Sequence, residues 1–500
     1  MSLPREAASR PSLGAPSRAL LLILAAITLF RLWMAAAIPL TEDEAYYRIW
    51  AASPQFGYFD HPPMIAWWIH LGMMIAGDTA LGVRLIPCLS CLVTSLLAYD
   101  LAGRIGASTR SAERAAIWCN ATLMIGAGGL LSVPDAAAVP FWMLTLCCLA
   151  RTPGRAAPGW WLGAGAAAGL ACLSKYSALF LAPGVILWLA VTPGGLKALR
   201  RPWPWLAAAA AVAIFSVNIV WNADHHWMSF VKQFGRATPG HFAPRFLLEL
   251  ILGQALLLNP LITVFVVRAA PLAWRGGAER PDLRLPLATA APFAAYLVLH
   301  ALHDRVQAHW PVPLYPALAV CAAIAAEQAQ GRWLGALRAA AAPFGLGLSA
   351  LGLLHAAFPA SDLRRGDDPA AAIRGWPQFA AEVERMRQAQ GAAWVGTLSY
   401  GTTGQLSAQG ALTAPVAQLD ERQRYPAADR SWRADLTRPG LVVDLERRIK
   451  PDKLGACFGV VRPLGPLHRG KGQGHESRYV AFLVAKPLAL VLAQGCAPAQ

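Results

Sequence analysis

The 500-residue sequence contains few charged residues, and this shortage excludes a fully water-soluble fold. Asp, Glu, Lys and Arg together make up 14% of the chain, whereas hydrophobic residues make up 56%. An average soluble domain has about 25% charged residues. Several apolar windows reach the ~20 residues that a membrane-spanning helix needs, beginning with residues 18–40. Much of this chain is therefore expected to lie in a lipid bilayer.

Acidic residues are scarcer than basic ones, at 28 against 44, which gives a net charge of +16. Such a balance is typical of nucleic-acid-binding proteins, but here the arginines collect in alternate short loops between apolar windows. That distribution follows the positive-inside rule and does not form a nucleic-acid-binding face. It predicts a cytoplasmic amino terminus and an outer carboxyl terminus. The basic clusters are Arg5, Arg10 and Arg18; Arg104, Arg110 and Arg114; Arg151 and Arg155; Lys197, Arg200 and Arg201; Arg268, Arg275 and Arg280; and Arg332.

The alternation of apolar windows and basic loops predicts about eleven membrane spans. The first apolar run, at 18–40, is too long for the apolar region of a cleaved signal peptide, and further runs follow it. The predicted spans lie near residues 18–40, 80–102, 115–132, 135–150, 159–174, 177–192, 203–221, 246–267, 285–301, 309–326 and 333–357.

Cysteine is sparse and unsuitably placed for a structural metal site. Seven of the nine cysteines lie in apolar segments, and the C-x-x-C pair of Cys88 and Cys91 falls inside a predicted span. Structural zinc needs four ligands, so we interpret these cysteines as small packing residues. Cys457 and Cys496 lie in the carboxyl-terminal tail, where an oxidising compartment would permit a disulfide; the sequence leaves their pairing open.

The character of the sequence changes near residue 358, where charges return and apolar runs shorten. The stretch "WPQFAAEVERMRQAQGAAWVGTLSYG" predicts an amphipathic helix followed by a strand. "GLVVDLE", "CFGVVRP" and "YVAFLVAKP" predict further strands, and "HRGKGQGHE" predicts a turn region. The expected fold is a polytopic α-helical membrane domain (1–357) with outer-face juxtamembrane helices, followed by an extracytoplasmic α/β domain (358–500).

The first outer loop, "TEDEAYYRIWAASPQFGYFDHPP" at 41–63, gathers polar residues directly after an apolar run. Thr41 and Glu44 have capping-box spacing, so Glu44 has an interpretation as a helix cap beside one as a site residue. Asp43 is not needed for that box; it is a candidate general base, or its charge favours the helix amino terminus. Asp60 and His61 precede a proline pair, which suits a helix entry as well as a site.

Other predicted outer loops carry further candidates. Asp135 follows a proline and is open to the same two interpretations as Asp60. Lys175 ends "GLACLSK" and is either a lysine that reaches the lipid headgroups or a cation that holds a lipid phosphate. His225 and His226 are either interfacial polar residues or, with an aspartate, metal ligands. A divalent metal ion is therefore left open.

These stretches resemble a known family, the C-superfamily membrane glycosyltransferases, over roughly residues 18–357. The resemblance is to the bacterial protein-mannosyltransferase-like and lipid A aminoarabinose-transferase-like branch. It is carried by "DEAYY", "GYFDHPPMIAWWI", "GVRLIP", "SVPDAAAVPFWML", "GLACLSKYSALFLAPG", "WNADHHWMSF" and "HWPVPLYPALAV". One departure lies in the first loop, where relatives have Glu-Lys-Pro and this chain has Asp60-His61-Pro62. The basic residue is then a titratable histidine, so any phosphate contact there depends on pH.

The resemblance implies an inverting transfer of a sugar from a polyprenyl-phosphate donor to a hydroxyl acceptor of the cell envelope. The reaction would take place on the outer face of the bacterial inner membrane. A hydroxyl needs a base as it attacks, whereas a lipid phosphate leaves with its charge and needs cations. The catalytic candidates are Asp43, Asp60 and Asp135. The substrate-binding candidates are Glu44, Tyr58, His61, Lys175, His226, Arg236, Arg305 and His309.

Two other functions compete with this interpretation. A transporter or flippase of lipid-linked sugars would need polar residues near the bilayer midplane and usually repeated halves, and the sequence shows neither. A non-catalytic membrane scaffold would leave the outer acids and Lys175 without a purpose. We therefore expect a glycosyltransferase whose partners are the donor lipid, the acceptor and the bilayer, with no role for nucleic acid.

Overall fold

The chain forms two compact units, and each is described separately. The computed structural model describes residues 14–153, 157–235, 241–274, 282–359, 368, 370–425, 434–470, 478–488 and 496. The first unit comprises Met1–Trp33 and Ile86–Leu353, and the second comprises Met34–Leu85 and Leu354–Gln500. The boundary at Leu354 lies close to the domain boundary predicted near residue 357. The grouping of residues 34–85 with the carboxyl-terminal segment is not evident from the sequence.

Helices make up most of the chain before residue 358. They are α1 (Arg18–Ala37), α2 (Glu42–Ala51), α3 (Met64–Ala76), α4 (Ala80–Arg104), α5 (Thr109–Ala121), α6 (Leu123–Gly126), α7 (Pro134–Leu149), α8 (Ala157–Ser174), α9 (Leu181–Val191), α10 (Pro202–Asp224), α11 (Met228–Phe234), α12 (Arg245–Leu257), α13 (Pro260–Ala269), α14 (Arg284–His300), α15 (Tyr315–Gln328) and α16 (Arg332–Ala357).

Within the described residues, four helices are long and apolar enough to cross a membrane, namely α1, α4, α10 and α16. A further pair, α12 with the helical segment that begins at Pro260, passes the same test but is bent by 107°. Shorter apolar helices occupy other predicted spans, among them α7 and α15. The apolar helical character is therefore confirmed, and the number of about eleven spans stays a prediction.

Two predicted spans are interrupted, and the backbone shows why. The span predicted at 115–132 breaks at Thr122, whose extended ψ of 135° separates α5 from α6. The span predicted at 246–267 breaks at Asn259, whose φ of 79° lies in the left-handed region. Asparagine tolerates that region better than most residues, and Pro260 then starts α13. The Asn259 amide donates to the carbonyls of Ala121 (3.1 Å) and Ala341 (2.8 Å), which holds the bend.

The second unit contains a five-stranded mixed sheet of order β2-β1-β3-β5-β4. In this sheet, β1 pairs in parallel with β2 and β3, and β5 pairs antiparallel with β3 and β4. The elements after residue 358 are α17 (Trp376–Ala389), β1 (Trp394–Thr397), α18 (Tyr400–Ser407), β2 (Val416–Gln418), β3 (Gly440–Leu445), α19 (Pro451–Gly455), β4 (Phe458–His468) and β5 (Arg478–Pro487). The predicted helix and strands are confirmed as α17, β1, β3, β4 and β5, whereas most of the predicted turn region lies outside the described residues.

Both faces of the central strand of this sheet, β3, are buried. On β3, Leu441 and Val443 point to one face and pack with Trp376 and Phe379 of α17, while Val442 points to the other. That second face packs with Phe458 and with the disulfide between Cys457 and Cys496, which the sequence left open. The other seven cysteines are free and buried, as expected for packing residues. The result is an α/β core cross-linked across 39 residues of sequence.

Candidate active site

The first turn of α2 is fixed by a capping box. The Thr41 hydroxyl accepts the backbone N–H of Glu44 at 3.3 Å, and the Glu44 carboxylate accepts the backbone N–H of Thr41 at 3.0 Å. The capping interpretation of Glu44 is thereby confirmed. Two orphan donors of the helix amino terminus are satisfied reciprocally.

Glu44 has a second partner in Arg84, an arginine near the start of α4. The guanidinium donates to both Glu44 oxygens, at 2.7 and 2.6 Å, and both side chains are completely buried. Arg84 also donates to the carbonyls of Ala35, Ile38 and Pro39. Arg84 therefore ties the end of α1 to the start of α2. A substrate contact for Glu44 stays a prediction.

Asp43 lies in the same first turn but points elsewhere. Its side chain is half-buried, and Oδ1 accepts the Tyr400 hydroxyl at 3.1 Å. Burial, and then the nearby Asp43 charge, raise the pKa of Tyr400, so the phenol stays protonated and donates. Burial also raises the pKa of the neighbouring Glu42 carboxyl. Asp43 Oδ1 thus accepts a hydrogen bond from a neutral hydroxyl.

Asp60 is buried and belongs to an ion pair. Its Oδ2 atom accepts Arg424 Nη1 at 2.6 Å and the Tyr46 hydroxyl at 2.9 Å. Arg424 also pairs with Glu421, and its backbone carbonyl accepts the Trp50 indole N–H at 3.2 Å. Burial, followed by the Asp60 charge, raises the pKa of Tyr46 well above its ordinary value. Asp60 therefore links the first loop to the segment around Arg424.

Tyr58 and His61 shape the loop that follows α2. Tyr58 is 2% exposed, and its ring stacks on Trp50 with centroids 4.4 Å apart. Its hydroxyl donates to the Trp50 carbonyl at 3.1 Å and accepts the Gln55 N–H at 2.9 Å. The backbone N–H of Tyr58 donates to the His61 carbonyl, and the His61 ring lies edge-on to Tyr47. Tyr58 acts here as a loop anchor.

A separate cluster in the first unit brings together Asp135, Lys175 and His309. Asp135 lies in the first turn of α7 and is 3% exposed. Its Oδ1 accepts Lys175 Nζ at 2.5 Å, and its Oδ2 lies 3.8 Å from His309 Nε2. The His309 side chain remains 42% exposed, so the cluster is open on that side. A lysine ammonium has three donors, and this salt bridge occupies one of them.

Tyr176, directly after Lys175, is held by a buried polar network. Its hydroxyl lies 2.6 Å from Ser229 Oγ and donates to Asn218 Oδ1 at 3.1 Å, and Asn222 donates to it at 3.4 Å. Ser229, Asn218 and Asn222 are all fully buried. The backbone that presents Lys175 is consequently fixed against α10 and α11.

The His225–Trp227 turn between α10 and α11 is strained, but it shows no metal site. His226 and Trp227 have φ values of 54° and 58°, in the left-handed region that such residues seldom adopt. His225 stacks on Trp221, and His226 is exposed. Among the described residues, no group of three or more His, Cys, Asp or Glu side chains is arranged to hold a metal ion.

The remaining basic candidates are Arg305 and Arg236. Arg305 forms an exposed salt bridge with Glu249 at 2.8 Å. Arg236 lies outside the described residues. Within the second unit the structure gathers Asp43, Glu44, Tyr58, Asp60 and His61 around α2. Within the first unit it gathers Asp135, Lys175 and His309.

Sequence reasoning misses the partners of the candidate acids. Arg84 has a local signal, since an arginine inside an apolar span is expected to be paired, and "GVRLIP" contains it. Tyr400 and Arg424 have no such signal, because each lies more than 350 positions along the chain from its carboxylate partner. Only folding brings them to α2 and its loop.

Comparison with known proteins finds sequence matches to a protein family and to individual proteins. Residues 60–221 match the family described as Dolichyl-phosphate-mannose-protein mannosyltransferase. The chain is 27% identical over 317 residues to the lipid A galacturonosyltransferase RgtD of Rhizobium johnstonii, covering 59% of this chain and 63% of that one. It is 26% identical over 271 residues to the undecaprenyl phosphate-alpha-4-amino-4-deoxy-L-arabinose arabinosyl transferase of Pseudomonas aeruginosa, covering 49% and 47%. The match thus spans less than two thirds of the length of either relative.

The fold has solved counterparts. The crystal structure of ArnT from Cupriavidus metallidurans bound to undecaprenyl phosphate superposes with a TM-score of 0.64 at 17% identity, covering 97% of this chain and 100% of that one. Its apo form gives a TM-score of 0.65 at 16% identity, with 96% and 99% covered. Together with the sequence matches, these likenesses confirm the resemblance to the C-superfamily membrane glycosyltransferases of the protein-mannosyltransferase-like and aminoarabinose-transferase-like branch.

Proposed function

We propose that this relative of the C-superfamily membrane glycosyltransferases transfers a sugar from a polyprenyl-phosphate donor to a hydroxyl acceptor in the bacterial envelope. The reaction takes place at the outer face of the inner membrane and inverts the anomeric centre. Two relatives named for transferring sugars, one to lipid A and one from undecaprenyl phosphate, support this choice of substrates. An anionic glycolipid of the envelope is the acceptor class closest to those names.

The observation that carries the proposal is the environment of Asp43. Asp60 and Asp135 are buried and bound to cations, Arg424 and Lys175. Both carboxylates are therefore engaged in ion pairs. Asp43 is half-buried, and the partner of its Oδ1 is a neutral phenol. A partly exposed carboxylate that a neutral donor orients is suited to take a proton from an acceptor hydroxyl, so Asp43 is the base in this proposal.

In the proposed step, one bond forms and one bond breaks at the anomeric carbon of the donor sugar. The acceptor oxygen forms a bond to that carbon from the face opposite the phosphate, while its proton passes to Asp43. The bond between the anomeric carbon and the phosphate oxygen breaks, and the lipid phosphate keeps the electron pair. A base in this position typically contributes about 10²–10⁴-fold to the rate. Attack from the opposite face accounts for the inversion.

Lys175 is the cation proposed for the donor phosphate. One of its donors engages Asp135, which fixes the direction of the ammonium. The other two N–H donors of the ammonium can bind phosphate oxygens. The exposed His309 side chain belongs to the same cluster, with Nε2 3.8 Å from Asp135 Oδ2. Asp135 then serves to orient Lys175, whose ammonium can balance the charge of a lipid phosphate.

Removing Lys175 together with its partner is expected to weaken donor binding without unfolding the protein. The single substitution Lys175→Met would leave Asp135 as a buried unpaired charge, so the test uses Lys175→Met with Asp135→Asn. Loss of a charge-assisted hydrogen bond corresponds to about 10- to 100-fold weaker binding. Binding of undecaprenyl phosphate in nanodiscs measures this effect, with Lys175→Arg expected to retain part of the affinity.

The matched control is Lys197→Ala, which removes an exposed lysine that follows α9. It should bind undecaprenyl phosphate as the wild type does. If the wild type and the double variant bound undecaprenyl phosphate equally well, Lys175 would not be a phosphate ligand. It would then be a lysine that only reaches the lipid headgroups.

Membrane orientation gives a further prediction. The arginine-rich loops predict that residues 104–114 face the cytoplasm and that the segment after residue 358 lies outside. Alkaline phosphatase fused after Gln500 should be active, and the same reporter fused within 104–114 should be inactive. Reporters active at both places would contradict an active site on the outer face.

Direct evidence of transfer would come from purified protein supplied with undecaprenyl-phosphate sugars and an envelope lipid extract. The sugars to test first are galacturonic acid and 4-amino-4-deoxy-arabinose, the ones in the names of the two relatives. A new glycolipid formed together with free undecaprenyl phosphate supports the proposal. Movement of the intact donor across a vesicle membrane without a glycosylated product would support a transporter instead.

A further inference from the structure

We propose that Tyr400, in the carboxyl-terminal segment, is a positioning residue for Asp43. This inference rests on the proposed function, because it assumes that Asp43 is the base. The two residues lie 357 positions apart in sequence, yet the Tyr400 hydroxyl donates to Asp43 Oδ1 at 3.1 Å. The segment after residue 354 would then take part in the reaction by holding the carboxylate that removes the acceptor proton.

Hydrogen bonds fix the backbone at the start of α18, where Tyr400 lies. Asp444, at the end of β3, is completely buried. It accepts the backbone N–H groups of Leu398 and Ser399 at 2.8 Å each and the Thr402 hydroxyl at 3.0 Å. Ser399 caps the helix by accepting the Thr402 N–H. Tyr400, the first residue of α18, therefore projects from an anchored turn.

Close contact between α18 and α2 sets the register of Tyr400 against Asp43. A Cβ atom on Gly401 would lie 2.3 Å from the Glu42 carboxylate, and one on Gly404 would lie 2.7 Å from the Tyr46 backbone nitrogen. The Gly404 contact is with backbone, so glycine is required there, whereas the end of the Glu42 side chain could move away from a Cβ atom on residue 401. The Gln405 amide also donates to the Leu40 carbonyl at 2.7 Å, just before α2.

The Tyr400 ring is held as well as its backbone. The Arg424 guanidinium lies 5.2 Å from the ring centroid, and the Tyr46 ring lies 5.1 Å away. Arg424 is itself fixed by its ion pair with Asp60. The hydroxyl therefore has little freedom, and its hydrogen bond favours one rotamer of the Asp43 side chain.

A phenol suits this task better than a cation. A neutral donor orients a carboxylate and reduces its basicity less than an ion pair does. A carboxylate has about four acceptor sites, and the Tyr400 hydroxyl occupies one of them, on Oδ1. Asp43 thus keeps both an orientation and the ability to take a proton.

The first test is Tyr400→Phe, which keeps the ring and removes the hydroxyl. We expect kcat to fall about 10- to 100-fold, the equivalent of a hydrogen bond to a charged group. The KM values for donor and acceptor and the melting temperature should stay close to those of the wild type. Tyr425→Phe is the matched control, since Tyr425 also packs its ring on Tyr46, and it should keep normal turnover.

A double-variant comparison separates positioning from a structural effect. If Tyr400 acts through Asp43, Tyr400→Phe should not slow the residual rate of an Asp43→Asn protein any further. An equal loss in both backgrounds, or a normal kcat for Tyr400→Phe alone, would overturn the inference while the proposed function stands. Full activity of Asp43→Asn would instead show that Asp43 is not the base. That result would refute this part of the proposed function and the inference that rests on it.

A second variant tests the helix contact rather than the hydroxyl. Gly404→Ala would press a methyl group against the α2 backbone, whereas a Cβ atom on Gly410 meets nothing within 4 Å. Gly404→Ala should therefore lower kcat, and Gly410→Ala should not. Normal turnover in folded Gly404→Ala protein would show that the approach of α18 does not govern Asp43.

Discussion

Replacing Asp43 by asparagine is expected to lower turnover by about 10²–10⁴-fold, the usual contribution of a general base. Asparagine has nearly the same shape and still accepts the Tyr400 hydroxyl, but it cannot take the acceptor proton. The capping box of α2 uses Thr41 and Glu44, so the melting temperature should hardly change. Initial rates with an undecaprenyl-phosphate sugar, measured beside a melting curve, give both quantities.

Asp78→Asn is the control for this substitution. Asp78 lies in the same unit, and its side chain is 48% exposed in a salt bridge with Arg48. Exposed ion pairs contribute little, so this variant should turn over and melt like the wild type. Near-normal turnover in Asp43→Asn would move the base elsewhere, to Asp60 or Asp135.

Replacing Arg84 by methionine is expected to destabilise the protein by about 3–5 kcal/mol, because the buried Glu44 would lose the counter-charge of Arg84. The carbonyls at the end of α1 would lose their donor as well. Adding Glu44→Gln should recover part of the loss, since no uncompensated charge then remains. Thermal unfolding of the three proteins in the same detergent measures the effect.

Arg104→Met is the matched control, because it removes an arginine of the same helix whose side chain is 53% exposed. It should melt within a few degrees of the wild type. If Arg84→Met melted equally close to the wild type, the link between α1 and α2 would not depend on this ion pair. The start of α2, which carries Asp43, would then be held by other contacts.

Local features of the site could be predicted from the sequence because their partners are neighbours in the chain. The capping box joins residues three apart, and the strand at Gly440–Leu445 follows from a short apolar run. The proline after Asn259 marks a helix start, yet the apolar run around it reads as one continuous span. There the side-chain bonds of Asn259, made to distant backbone carbonyls, stabilise a bend that apolar periodicity does not reveal.

The ion pairs could not be predicted because they join distant segments. The sequence identifies Lys175 and Asp135 as separate candidates, and only the fold makes them partners. The expected effect of Glu44→Gln on stability changes once the ion pair with Arg84 is known. From the capping box alone glutamine is a mild replacement, but the buried Arg84 would lose its counter-charge, so we expect a larger loss. Burial and pairing of this kind are properties of tertiary structure.

The most direct test of the account is mass spectrometry of envelope glycolipids from a deletion strain. The strain would be complemented with the wild-type gene or with the Asp43→Asn variant. We predict that deletion removes one sugar from an envelope glycolipid, that the wild type restores it, and that Asp43→Asn, although present in the membrane at equal level, does not. Identical glycolipids in all the strains, or restoration by Asp43→Asn, would contradict sugar transfer with Asp43 as its base.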